Sequence, residues 1–413
     1  MIKPQTLKGF RDFLPLEARK RQYVITKLQS VFESFGFEPL ETPTLEYEEV
    51  LTDKYGEEGD QLMYRFEDNG KRKVAMRYDQ TVPLARVVAQ YQNELSMPFK
   101  RYQIQPVWRA ENTQKGRYRE FVQCDIDTVG TDSALTDAEI IVAALRTYQS
   151  LGFKNLTILV NDRSVFGNLP VDAIITIDKL KKIGEEAVCK QLFEKAIVGS
   201  IADGKKLLHE LTQHRGTPRL IEVFKTLKES GIQESVFRFS PTLARGLDYY
   251  TGAIIEVETS DYPYGSLAGG GRYDNLIGMF AGRQIPAVGI SFGFDRTIEA
   301  MEALNLFPAN LANSSTKVLI TIFSEELKEK AIKTATKLRE EKINTELYLG
   351  EIKEKNPLEK QLKYADQKRI PYVVIIGPEE VTSNSITVKD LQTRTQEKTT
   401  VEDFLRKIKK HES

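Results

Sequence analysis

The chain predicts an α+β fold in two parts: an antiparallel sheet flanked by helices and carrying a helical insertion, then a separate α/β domain. Three observations point there. Two hairpin patterns lie within the first 130 residues, a Lys/Glu-rich helical stretch interrupts the strands from about 170 to 233, and strand and helix alternate beyond residue 316. A chain of 413 residues is also too long for one ordinary core, which stops growing near about 250–300 residues. The expected domains are therefore 1–315, with the insertion inside it, and 316–413.

Pro15 is placed to open a helix, and Val24, Leu28, Val31, Phe32 and Phe35 follow at helical spacing until Gly36 stops it. Phe37–Thr42 reads as a strand leading to Pro43. Leu62–Phe66 and Lys73–Arg77 flank Asp68-Asn69-Gly70, a turn signal, and form the first hairpin. Phe99–Trp108 and Arg119–Thr128 form the second around a polar loop. Alternation along its second strand puts Phe121, Gln123, Asp125 and Asp127 on one face, too polar for plain core. A helix over Thr136–Leu151 stops at Gly152, and Asn155–Val160 is a strand. After the insertion, strand and glycine character resumes at Phe237, and Met301–Ser315 ends in a linker. The last domain alternates Lys317–Phe323 (strand), Glu325–Glu340 (helix), Ile343–Leu349 (strand), Leu358–Lys368 (helix) and Tyr372–Gly377 (strand).

Composition narrows the chemistry. Lys plus Arg and Asp plus Glu both number 59, so any nucleic-acid surface must come from local segregation of charge. Cys124 and Cys189, the two cysteines, have neither metal-ligand spacing nor a disulfide framework, which fits a reducing compartment and leaves no zinc site readable. The first residues lack the apolar core of a signal peptide, and no run approaches the roughly 18 apolar residues of a membrane span. A cytoplasmic protein is expected. His209, His214 and His411 fall outside every cluster described below, which argues against histidine as general base. Neither a Gly-x-Ser-x-Gly elbow nor a Gly-x-x-x-x-Gly-Lys-Ser/Thr phosphate loop is present.

Four segments concentrate groups suited to a ligand. Arg245-Gly246-Leu247-Asp248-Tyr249-Tyr250-Thr251-Gly252 sets a cation, a carboxylate and two phenols beside two glycines, just before the β-prone run Ala253–Val257. Arg109, Glu111, Lys115, Arg117 and Arg119 crowd the second hairpin's tip and flanks. Ala268-Gly269-Gly270-Gly271-Arg272-Tyr273-Asp274 is followed by Gly289-Ile290-Ser291-Phe292-Gly293-Phe294-Asp295-Arg296, where Ser291 suits a helix N-cap and Arg296 an early turn. Arg77-Tyr78-Asp79-Gln80-Thr81-Val82-Pro83 follows the first hairpin. One such segment is ordinary; a solvated charged loop or a tight glycine turn would account for it.

Together they resemble the histidyl-tRNA synthetases, a family of class II aminoacyl-tRNA synthetases. The first is similar to that family's histidine-binding signature. Phe35–Pro43 resembles motif 1, Phe99–Gln123 motif 2, and Ala268–Arg296 motif 3. The resemblance implies a class II catalytic core and a C-terminal anticodon-binding domain. It also implies L-histidine and ATP as substrates, Mg2+ with the ATP phosphates, tRNA(His) as partner and a homodimer built on motif 1. Arg109 and Arg245 would then stand at the α-phosphate as the catalytic cations, Arg296 at the γ-phosphate, and Glu111 would join Arg109 and Arg296 in binding ATP. Asp79, Thr81 and Gln123 would take the α-amino end of histidine, Asp127 and Tyr250 its side chain, and Tyr249 would also belong to the histidine site. Lys115 and Arg117 would meet the tRNA acceptor end.

These residue types suit the implied reaction. The amino acid's own carboxylate attacks the α-phosphate, so the protein need supply only position and charge. At ~4 Å and an effective dielectric of ~20, one Arg–phosphate contact is of order 4 kcal/mol before desolvation. A regulatory paralogue of this fold, a subunit of ATP phosphoribosyltransferase, is the alternative. It typically lacks the C-terminal domain and the intact Arg245–Gly252 string.

Overall fold

The structure, a computed structural model, describes residues 2–54, 56–113, 116–245, 250–312, 314–352 and 356–412. It divides into two compact units, Met1–Leu14 with Lys20–Leu306, and Pro15–Arg19 with Phe307–Ser413.

Among the described residues the larger unit is built on eleven strands: β1 Glu38–Pro39, β2 Leu45–Tyr47, β3 Arg65–Glu67, β4 Lys73–Met76, β5 Phe99–Trp108, β6 Glu120–Val129, β7 Leu156–Asp162, β8 Phe237–Phe239, β9 Ala253–Thr259, β10 Ala268–Arg272 and β11 Ala287–Phe292. Eight form the main sheet in the order β1-β5-β6-β11-β10-β9-β7-β8, and β2-β4-β3 form a small antiparallel sheet. The six central strands pair antiparallel, as expected, but β1 runs parallel to β5 and β8 parallel to β7. The sheet is therefore mixed. The cause is chain routing: a parallel pair needs a long crossover rather than a tight turn, and the helical insertion separates β7 from β8. The strand expected over Phe37–Thr42 shortens to β1: Leu40 N still donates to the Tyr102 carbonyl at 2.9 Å, but Thr42 N donates to the Gln105 side chain at 3.2 Å instead of to the strand.

The two sides of the sheet differ in chemistry because side chains alternate along each strand. Cys124, Ile126, Val288, Ile290 and Phe292 are buried on one side. The helix Ala134–Ser150, capped by Ser133, whose Oγ accepts from Leu135 N at 3.2 Å, packs on the sheet, as does Phe32 against Tyr102 and Phe292. Asp125, Asp127, Arg101 and Gln103 come from the opposite phase of the same strands, and they too are buried.

The insertion forms short helices, including Val171–Ile177, Glu185–Glu194, Ile201–Gln213 and Pro218–Glu229. It is not a separate core. Ile174, Ile177, Val188, Leu192, Leu208 and Leu211 share one apolar cluster with Leu159 of β7 and Ile254 of β9. The last insertion helix also lies against Ala134–Ser150, where Arg219 pairs with Asp137 at 2.6 Å.

The smaller unit has five strands, β12 Val318–Ile320, β13 Thr345–Leu347, β14 Tyr372–Ile375, β15 Ile386–Asp390 and β16 Thr395–Thr399, ordered β13-β12-β14-β15-β16. The first three are parallel and the last two antiparallel. The helices Lys328–Glu340 and Val401–Glu412 send Ala335, Leu338, Phe404 and Ile408 into the core beside Ile320 and Val374.

Candidate active site

Register across the central strands aligns the polar face in rows. One row runs Gln103 (β5), Asp125 (β6), Ser291 (β11), Gly269 (β10); the next runs Arg101, Asp127, Gly289, Gly271. Both rows need glycine where a neighbour leans across the sheet. A methyl carbon on Gly269 would lie 1.3 Å from Nη1 of Arg245, and one on Gly289 would lie 1.9 Å from Oδ1 of Asp127. The glycines open room for a guanidinium on one row and a carboxylate on the other.

The segment carrying Asp79 and Thr81 is tied to this floor. Gln80 Nε2 donates to the carbonyls of Gln105 at 3.0 Å and Gln123 at 3.1 Å. Buried Arg77 donates to the carbonyls of Thr42 and Pro106 and to Gln105 Oε1. Asp79 accepts from Val82 N at 3.1 Å, and Thr81 opens the helix Thr81–Gln90; both are buried. Gln123 Nε2 donates to Asp125 Oδ2 at 2.9 Å, while Gln80 Oε1, Gln123 Oε1 and Asp125 Oδ1 are buried without a hydrogen-bond partner among the described residues. Such unpaired acceptors are costly unless a ligand donates to them. Burial pushes the Asp125 carboxyl up to about 7; Arg101 opposes that shift and Asp127 adds to it.

Asp127 is held by one ion pair and one hydrogen bond, its Oδ2 accepting no hydrogen bond from the described residues. Arg101 Nη2 lies 2.7 Å from its Oδ2, and Tyr273 hydroxyl donates to its Oδ1. Burial raises this carboxyl too, while Arg101 and Tyr273 pull it back down. Tyr250 is buried, its ring against Gly271.

The arginines are held more loosely. Arg245 lies over Gly269 with Nη1 3.4 Å from Glu256 Oε2. Burial raises Glu256 to about 7, and Arg245 counters it. Arg109 Nε donates to Tyr78 carbonyl at 3.1 Å, and its guanidinium lies 4.4 Å from the Tyr78 ring centroid and 5.2 Å from that of Phe121. Exposed Arg296 donates to Ser266 carbonyl at 2.8 Å from the helix Phe294–Ala303. Glu111 meets Arg117 at 3.7 Å, a weak solvent-facing pair. Tyr249 and Lys115, with Gly246–Asp248, lie outside the described residues.

Ser291 is not the N-cap expected of it. It belongs to β11, and Gly293 holds the cap position with no side chain to accept. The strand extends because β10 pairs with it through Phe292. Arg101, Gln80 and Tyr273 lie in segments that the sequence singles out, but the sequence alone assigns them no role. Arg101 could have been found by pairing the two strands of the second hairpin residue for residue.

The family model described as histidyl-tRNA synthetase matches residues 9–225 and 199–297, and one described as anticodon binding domain matches 317–411. The chain belongs to the histidyl-tRNA synthetase family. It is 40% identical to the histidine–tRNA ligase of Cytophaga hutchinsonii, covering 99% of this chain and 100% of the relative, and 38% identical to that of Rhodopirellula baltica, covering 95% of each. Among solved structures, the histidyl-tRNA synthetase of Nostoc sp. PCC 7120 aligns over 100% of both chains with a TM-score of 0.84 at 30% identity. A Bacillus halodurans protein titled as an ATP phosphoribosyltransferase regulatory subunit/histidyl-tRNA synthetase shares the fold, with a TM-score of 0.66 at 21% identity over 90% of this chain and 99% of its own. The family's fold of a sheet flanked by helices and a separate C-terminal α/β unit is the one described above.

Proposed function

We propose that the chain attaches L-histidine to tRNA(His) through a histidyl-adenylate, using ATP with Mg2+ on its phosphates as substrate. The observation that carries this reading is the row Asp125–Ser291–Gly269, which has an unpaired buried acceptor at one end and the Arg245 guanidinium over the other. Two strand spacings separate those ends, roughly 10 Å. An amino acid with its ammonium toward Asp125 would direct its carboxylate toward the arginine.

In the first step a histidine carboxylate oxygen attacks the α-phosphorus and pyrophosphate leaves. In this reading Arg245 and Arg109 neutralise the α-phosphate, Arg296 meets the γ-phosphate, and Glu111 helps seat ATP. Preorganised cations of this kind carry the catalysis, because the substrate brings its own nucleophile. Asp79, Thr81 and Gln123 hold the ammonium, with Asp125 beside Gln123 at the same end. Asp127 and Tyr250 take the imidazole, with Tyr249 in the same site, so an isostere without ring nitrogens would leave buried polar groups unpaired, a discrimination of roughly 10⁴-fold. In the second step a hydroxyl of the terminal tRNA ribose attacks the acyl carbon and AMP leaves, with Lys115 and Arg117 at the acceptor end. The C-terminal unit would contact the anticodon, and the active form would be a cytoplasmic homodimer. Among the described residues no helix is long and apolar enough to cross a membrane.

The full-length relatives named as ligases and the anticodon-binding match at 317–411 favour charging over the regulatory role. The test is incubation with ATP, labelled histidine and tRNA. Label should enter RNA in an alkali-labile ester and require ATP. Histidine binding with no adenylate and no charged RNA would favour the regulatory role.

A further inference from the structure

Arg101 has no exposed surface and no counterpart in the roles above. It stands directly across the hairpin from Asp127 and contacts it at 2.7 Å. Its other contacts are weak: Gln103 Oε1 at 3.2 Å and Gln80 carbonyl at 3.5 Å, with Nε unpaired among the described residues. A guanidinium taken wholly out of water for so little hydrogen bonding is explained by charge. On the far side of the same carboxylate, Gly289 offers no side chain and Tyr273 contributes a neutral hydroxyl. The pair Arg101–Asp127 balances one charge with one, and the same guanidinium also lowers the neighbouring Asp125.

We infer that Arg101 is a positioning residue that acts through Asp127, compensating its charge so that the pocket takes histidine as the neutral imidazole rather than the imidazolium. The inference rests on the proposed histidine site. With Arg101 in place, one ring N–H donates to an already balanced carboxylate, and an added proton would leave an uncompensated buried cation. Without it, Asp127 and the ring together would hold a proton, because a lone buried carboxylate is unfavourable.

Other titratable groups face this pair. They are Asp125 on the same strand, Asp79 from the segment before the Thr81–Gln90 helix, Tyr273 after β10, and Tyr250 before β9. Asp125 is the one that titrates near neutrality, so the test must separate it.

The experiment is KM for histidine in ATP–pyrophosphate exchange from pH 6 to 9 for wild type, R101K, R101L and R101L/D127N. Wild type and the double variant both retain Asp125, so its contribution cancels when each KM is taken relative to wild type at the same pH. R101L should carry a KM penalty that grows at least tenfold from pH 6 to 9, as the shared proton is lost, with kcat less affected. R101K should restore the wild-type profile, and the double variant's remaining penalty should be independent of pH. A penalty for R101L that does not change with pH would overturn the inference, leaving Arg101 a packing residue. If R101L does not fold, the neutral double variant should fold; if it too fails, or melts below a folded R101L, compensation is refuted. Wild type without histidine-dependent exchange would instead refute the functional reading, whatever the variants do.

Discussion

Arg101 and Arg245 lie on the same face of one sheet, yet their surroundings are opposite. Arg101 is sealed from solvent against a carboxylate 2.7 Å away, while the Arg245 side chain is 27% exposed and rests 3.4 Å from Glu256. A charge pair removed from water is paid for at folding and cannot exchange partners cheaply. A partly exposed guanidinium beside a carboxylate whose burial raises it to about 7 can trade that partner for a phosphate. The first arrangement suits selection of one side chain; the second suits a substrate that arrives, reacts and leaves.

The contrast can be broken at its exchangeable end first. Arg245→Ala should lower the rate of adenylate formation about 10²–10³-fold, the usual loss when one preorganised donor is removed from developing charge, with thermal stability nearly unchanged. Rapid-quench kinetics would measure it. Next in size is Gly269→Ala. Its methyl would take the space of the Arg245 guanidinium, and a displacement of that order costs up to about 10²-fold in rate. Exchange assays should show the loss in kcat, with circular dichroism unchanged. Equal activity of G269A and wild type would mean that the arginine works from elsewhere.

Asp125 sharpens the buried end. Its folded carboxyl is raised to about 7 from 3.8, so the folded state binds more protons between those values and stability declines as pH rises through the window. The deficit is complete above pH 7 and amounts to at most roughly 4 kcal/mol. Asp125→Asn should therefore raise the melting temperature at pH 8 and progressively less toward pH 4, as calorimetry would read. The smallest expected effect concerns tRNA: its KM should climb with salt more steeply than that of histidine, because phosphate contacts release counterions.

Much of this site was legible in the sequence, and what was missed has a physical cause. The two long hairpin strands declared themselves by alternation, and Phe121, Gln123, Asp125 and Asp127 fell on one face because strand periodicity is local. Arg101 sits 26 positions from Asp127 and meets it only through register across the hairpin. Tyr273 reaches Asp127 from a strand end 146 residues away. Arg101 follows once the hairpin is paired residue for residue, whereas the contact from Tyr273 depends on how distant strands join in one sheet. The hairpin β15–β16 escaped for a different reason. Its turn uses Arg394 at φ 59° in place of a glycine, and β16 is a polar Thr-Gln-Glu-Lys-Thr run almost wholly exposed, with no alternation to read.

The most direct test of the account is ATP–pyrophosphate exchange by the wild-type protein with each of the twenty amino acids in turn. Exchange supported by histidine alone is the predicted result. Exchange driven by another amino acid, or none from folded protein that binds histidine, would contradict it.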